Sequence, residues 1–155
     1  MADIRRPVTI AALITAGFLM GKTSASQAPT PAPARKPIMM TRIYAGPDGQ
    51  SHAEEVEVKL NDRGIADFAA TAAQFSSRPA GPPNTNWHTG PRRQFVITLS
   101  GRAELEVSDG RKVLAGPGHI NLIEDTTGRG HLTRNIEDRI VITIPVADEP
   151  GPGRN

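Results

Sequence analysis

The chain has 155 residues, of which 37% are hydrophobic and only 4% aromatic, with 15 glycines, 14 prolines and no cysteine. One domain of ordinary size fits that length once the ends are discounted, and the turn-rich composition excludes a coiled coil and favours short strands. The absence of cysteine excludes disulfides, thiolate nucleophiles and Cys-based zinc or iron–sulfur sites, so any metal has to be held by nitrogen and oxygen donors. The formal net charge of +2 includes no basic run longer than Arg92-Arg93 or Arg111-Lys112. A nucleic-acid partner, which needs a basic surface to neutralise phosphates, is therefore not expected.

Residues 1–25 read as an export signal. Arg5 and Arg6 precede an apolar run over 8–20, and a small polar stretch containing Thr23, Ser24 and Ala25 follows. The run is shorter than the ~20 residues that span a bilayer, so no permanent membrane anchor is expected. Cleavage after Ala25 implies a periplasmic or secreted bacterial protein. Losing Arg5, Arg6, Lys22 and Asp3 lowers Lys+Arg from 18 to 15 and Asp+Glu from 16 to 15, so the mature chain is nearly neutral. Residues 26–37 carry Pro29, Pro31, Pro33 and Pro37 among small residues and read as an extended linker. Residues 38–146 form the single domain, and 147–155 read as a disordered tail.

Within the domain the hydropathy period is two. Strands are predicted over 38–44 and 55–60, joined by the turn Gly46-Pro47-Asp48-Gly49. The stretch 65–75 mixes alanines that favour helix with an approach to Phe75 that suits a strand, and reads as a short helical turn followed by a strand. Strands follow over 94–99 and 103–107, the second alternating Ala103, Leu105 and Val107 with polar residues. Asp109-Gly110 predicts a type I′ hairpin. Stretches 113–115, 120–123, 131–133 and 139–145 complete eight or nine short strands, a spacing that points to an all-β sandwich or barrel.

Residues able to carry chemistry cluster in two segments, Trp87-His88-Thr89-Gly90-Pro91-Arg92-Arg93-Gln94 and Glu124-Asp125-Thr126-Thr127-Gly128-Arg129-Gly130-His131. These resemble the two motifs of the cupin family. His88 stands at the first motif's first His, Gly90 at its second His, Gln94 at its Glu, and Gly101 closes it. In the second motif Gly128, His131 and Asn135 keep their spacing, Thr126 replaces a Pro, and the opening glycines (Gly81 and Gly118) are displaced by a residue or two. The resemblance covers about residues 40–146 and implies a double-stranded β-helix, the cupin jelly roll, with one pocket between its sheets. His88, Gly90 and Gln94 share parity and are expected on the pocket face, with Phe95, Ile97 and Leu99 on the other. That second face is too apolar to leave wet, so it needs another sheet or a partner chain, and a homodimer is expected.

The expected site is His88, His131 and Gln94, with Trp87, Arg92, Arg93 and Asp125 around a ligand. As a metal centre, His88, Gln94 and His131 are a depleted version of the family's three His and one Glu, implying no cofactor or one divalent ion (Fe, Mn or Zn). Without metal, His88 or His131 serves as general base, Gln94 holds a carbonyl or hydroxyl, and Arg92 or Arg93 attracts a carboxylate. Asp125 and Arg129 form a candidate ion pair across the 126–128 turn, His119 reads as structural, Asn135 as a turn cap, and His52 as an exposed loop residue. Two functions stay open: an exported enzyme acting on a small polar or carboxylate-bearing molecule by isomerase, dehydratase or oxygenase chemistry, and a non-catalytic binding module of the cell envelope.

Overall fold

The computed structural model describes residues 35–83 and 85–147. The export signal, most of the linker and all but the first residue of the tail lie outside the described residues. Nine strands follow one another: β1 (Met39–Ala45), β2 (Ser51–Glu57), β3 (Gln74–Arg78), β4 (Gln94–Ser100), β5 (Ala103–Val107), β6 (Lys112–Ala115), β7 (Ile120–Glu124), β8 (His131–Asn135) and β9 (Arg139–Pro145). They form a six-stranded sheet in the order β2-β1-β7-β4-β9-β3 and a three-stranded sheet in the order β6-β5-β8. The β1/β7 pair is parallel and the other ladders are antiparallel. The chain passes from one sheet to the other between β4 and β5, β6 and β7, β7 and β8, and β8 and β9, which makes an all-β jelly roll.

The period-two pattern places one core between the sheets. Ile43, Ala53, Val96, Ile123 and Val141 from the larger sheet meet Leu105, Val107, Val113 and Ala115 from the smaller. A second apolar layer lies on the outer face of the larger sheet, where Met40, Phe95, Leu122 and Val146 pack against Val58, Leu60, Ala66 and Phe68. The Phe68 and Phe95 rings meet edge to face, their centroids 4.8 Å apart. The outer face at Phe95 and Ile97 is thus covered by an irregular segment of the same chain, not by a further sheet.

Three local expectations change. No helical turn forms between 65 and 73; that stretch is irregular apart from a bridge between Ala70 and Val146. The helix preference of a few alanines amounts to tenths of a kcal/mol per residue, roughly, and burying Ala66 and Phe68 on the sheet outweighs it. The second strand runs over Ser51–Glu57 rather than 55–60, because Ser51 and Ala53, small residues that carry little hydropathy signal, supply its buried positions, while Val58 lies past its end. His52 consequently sits on a strand, with Nε2 3.1 Å from Asp48 Oδ1 and Nδ1 2.9 Å from Asp109 Oδ2. The hydrogen bond to Asp48, more than that to Asp109, raises its imidazole above the ordinary value. Lastly, Asp109-Gly110 turns the chain with a positive φ at Gly110 alone (94°), not at both residues, so the loop is a type I turn closed by a left-handed glycine.

Outside the sheet, Glu124 accepts hydrogen bonds from Arg93 Nε (2.7 Å) and Arg42 Nε, and Arg42 also pairs with Glu54. Burial pushes the Glu124 carboxyl up, but the hydrogen bonds from Arg93 and Arg42 outweigh it and leave the carboxyl below its ordinary 4.5. Its stabilisation is therefore complete above about pH 4.5 and is lost as pH falls through the lower folded-state value. Glu124→Ala should cost about 3 kcal/mol at neutral pH by stranding the buried Arg93. Denaturant unfolding of the variant across pH 3–7 (an approximate range) should also show a flatter acid limb than wild type.

Candidate functional site

At one end of the inter-sheet space lies a cavity of about 210 Å³, with Arg78, His88, Gln94, Asn121, His131 and Arg139 among its polar walls. Each side chain arrives from a strand end or a loop. Arg78 closes β3, Gln94 opens β4, His131 opens β8 and Arg139 opens β9, while Asn121 lies on β7 and His88 on the loop before β4. Gly90, Gln94 and Val96 all line this space, so the pocket face of that segment is the one its even parity indicates.

His88 and His131, far apart in the chain, are joined as a β-bridge. Each backbone N–H donates to the other's carbonyl, at 3.1 Å from His88 N and 2.9 Å from His131 N. Their ring centroids stand 4.7 Å apart. The approach depends on Gly130, whose φ is +77° and where a Cβ would lie 2.1 Å from the His88 carbonyl oxygen. Ser51, wholly buried on β2, donates its hydroxyl to the Gly130 carbonyl and exchanges hydrogen bonds with Ser108, tying the turn before His131 to both sheets.

The two imidazoles differ in surroundings. His131 Nδ1 donates to Asp125 Oδ2 at 2.7 Å, and Asp125 is fully buried. That bond sets the tautomer and leaves Nε2 as the uncommitted ring nitrogen. His88 is more exposed, and its Nδ1 donates to the Asn86 carbonyl at 3.1 Å, which likewise leaves Nε2 open.

The other residues expected at the site divide. Gln94 is on the wall. Arg92 is exposed, beside a shallower hollow that shares Arg78, Pro91 and Gln94 with the cavity. Arg93 points to the outer face, held by Glu124 and by the Ala147 carbonyl (2.6 Å), so carboxylate attraction inside the cavity does not fall to it. Trp87 lines a separate hollow with Glu104, Glu106 and Arg134, under the Arg129 guanidinium at 4.6 Å from its ring centroid. Asp125 pairs with His131 and not with Arg129. Asn135 donates to the Pro79 carbonyl (3.3 Å), holding the Pro-rich loop, and His119 Nε2 bridges Thr41 and Asn121.

Sequence reasoning missed Arg78, Asn121 and Arg139. Arg139 shares parity with the buried Val141 and Thr143, a signal present in the sequence, but a charged residue at a strand start reads as its solvated end. Arg78 lies beside a Pro-rich stretch, and only its register opposite Arg139 places it. Arg139 is 1% exposed. Burial first, and then repulsion from Arg78, pushes its guanidinium down to about 10.

A divalent ion in the family manner needs more donors than these. A side chain at Gly90 would have to displace Ile123, since a Cβ there would lie 2.5 Å from Ile123 Cγ2. Glu124 is taken by two arginines on the other face. Among the described residues no three His, Cys, Asp or Glu side chains form a ligand cluster. Two guanidiniums on the same wall add positive charge. Two imidazoles and a neutral amide in such a field do not fit a tightly held divalent cation.

Fold and cavity together define a jelly roll with a pocket of mixed polar and apolar lining between its sheets. No family model and no curated protein matches the chain. Among solved structures it is similar to a conserved protein of unknown function from Streptococcus pyogenes, at 20% identity and a TM-score of 0.40, over 50% of this chain and 65% of that one. The match thus spans less than two thirds of the streptococcal protein. It is also similar to a Salmonella typhimurium protein named for ethanolamine utilization, at 11% identity and a TM-score of 0.37, over 75% of this chain and 99% of that one. Likeness at this level assigns neither a ligand nor a reaction to this chain.

The Gly130 geometry makes a prediction. Gly130→Ala should destabilise by about 1–3 kcal/mol from its positive φ alone, with a further loss from the clash with the His88 carbonyl. Gly110→Ala, with φ of 94° but nothing within 4 Å of the added Cβ, should show the backbone cost only. Denaturant unfolding measures both, and imidazole NMR shifts should move for Gly130→Ala and stay put for Gly110→Ala.

Proposed function

We propose that this chain is an exported cupin whose cavity binds a small oxygenated molecule and moves a proton on it, with His131 as the base. The observation that carries this reading is the His131–Asp125 pair opening into the cavity beside His88. A buried carboxylate that holds the Nδ1 proton keeps Nε2 directed to accept one, and this arrangement suits general-base catalysis. His88, its ring 4.7 Å away at the mouth, is the second acid–base group that an isomerisation or dehydration requires. The Gln94 amide is placed to hold a carbonyl or hydroxyl. No step in this scheme draws on a metal. The cupin assignment rests on the His88–Gln94 and Gly128–Asn135 spacings within a jelly roll, and export on the basic and apolar pattern of residues 1–25.

We also propose that two copies pair through the outer face of β3, β9 and β4. Phe75 there is 71% exposed, and Leu99 and Ile140 are uncovered beside it. Light scattering at micromolar concentration should return a dimer mass, and Phe75→Asp a monomer mass. A monomeric wild type would refute the pairing.

The acid–base reading is tested by following solvent deuterium into a panel of small hydroxy and keto acids by NMR. Incorporation adjacent to the carbonyl or hydroxyl carbon should occur with wild type and fall by about 10²–10⁴-fold in His131→Asn. Saturable binding with no incorporation in any panel member would make the chain a capture module instead.

A further inference from the structure

Arg78 and Arg139 are directly opposite each other across the β3/β9 ladder and both line the cavity. No hydrogen bond or ion pair to either guanidinium occurs among the described residues, and Arg139 Nε and Nη1 are buried without a partner. Like charges paired on one sheet face repel, and a guanidinium removed from water without an acceptor costs several kcal/mol, roughly. The little-exposed arginines of the outer face are handled differently. Arg42 and Arg93, on the outer face of the same sheet, share Glu124.

The surrounding wall supplies more donors and no acid. Asn121 is fully buried and its Nδ2 lacks an acceptor, Gln94 offers an amide, and no carboxylate lines the cavity. Val96 and Ile123 alternate with these donors on the same sheet face, and Leu105 meets them from the smaller sheet, so that part of the wall is apolar. At about 210 Å³ the space falls below the ~300 Å³ at which drug-sized pockets begin.

We infer that Arg78 and Arg139 form an oxyanion subsite that takes the carboxylate of a small organic acid, with Asn121 as a third donor. This rests on reading the cavity as the ligand site and gives that ligand its chemical class. A guanidinium forms charge-assisted, often bidentate bonds to a carboxylate, and two of them neutralise a dicarboxylate. The apolar wall favours an acid with a carbon skeleton over an inorganic oxyanion, which has no apolar part to bury. The lowered Arg139 value of about 10 leaves the guanidinium charged at neutral pH, so the site is cationic before the acid enters.

The test is calorimetric titration of the purified full chain, in low-chloride buffer, with malonate, inorganic phosphate and the neutral analogue malonamide. Malonate should bind in one-to-one ratio and more tightly than phosphate, and malonamide should give no heat. Arg139→Met should weaken malonate about tenfold or more. In anion-free buffer the same variant should melt about 4 °C or more above wild type, because an uncompensated buried charge has been removed. A merely structural arginine would instead lower the melting temperature. If Arg139→Met does not fold, Arg78→Met is read in its place, with the same loss of malonate affinity expected. Phosphate binding tighter than malonate would overturn the carboxylate assignment. Malonate binding absent in wild type, or unchanged in both arginine variants, would overturn the subsite. Failure of deuterium incorporation with malonate binding intact would remove the acid–base role of His131 and leave the arginine subsite in place.

Discussion

Two backbone hydrogen bonds between His88 and His131 organise the functional end of this molecule. They close the long Pro-rich connection between β3 and β4 onto the start of β8, and they bring two imidazoles remote in the chain within ring contact. Their formation requires a residue without a side chain at 130, in a conformation that other residues avoid. The Ser51–Ser108 exchange beneath that turn fixes its height over the core. Because backbone pairing rather than a ligand positions the histidines, the site is organised before anything enters it, and little ordering entropy has to be overcome on binding.

The charges follow the two faces of one sheet. On the outer face Arg42, Arg93 and Glu124 complete one another, and the arrangement is structural: each buried charge has its partner. On the inner face Arg78 and Arg139 have none among the described residues. Residues of one type thus take opposite roles according to what lies within hydrogen-bond reach, and the number of arginines in the sequence carries no information about which is which. Arg92 and Arg93, the residues expected from the sequence to attract a carboxylate, do not line the inner wall. Arg93 alternates outward from β4, and Arg92 stays in solvent at the rim.

The two positions at which the sequence differs from the cupin metal motif it resembles have a steric and an electrostatic side. At Gly90 the chain runs against Ile123, so a histidine at that position of the motif would require Ile123 to shift. At Gln94 the wall has a neutral amide where the family has a carboxylate, and the guanidiniums of Arg78 and Arg139 share that wall. Both differences leave the wall without a carboxylate and with two guanidiniums on it. The buried acid that remains, Asp125, is engaged with His131 and orients an imidazole instead of coordinating an ion.

The sequence alone determined the all-β class, because alternation of apolar and polar residues is a local signal that each strand carries by itself, while the jelly roll was what the resemblance of its two motifs implied. β4, β5 and β9 were legible to within a residue, because Phe95 and Ile97, Leu105 and Val107, and Ile140, Ile142 and Ile144 recur at every second position. Where the buried residues are small, as with Ser51 and Ala53 in β2, or where a segment packs without regular structure, as with Ala66 and Phe68, the local signal failed. The order of the motifs also indicated that His88 and His131 belong together. Only the tertiary structure decided that Asp125 supports His131, that Glu124 and Arg93 are spent on the outer face, and that Arg78 and Arg139 oppose each other inside. Those facts depend on strand register and on distances between residues remote in the chain, and a one-dimensional pattern of hydropathy and charge does not encode which side chains meet when the sheets close.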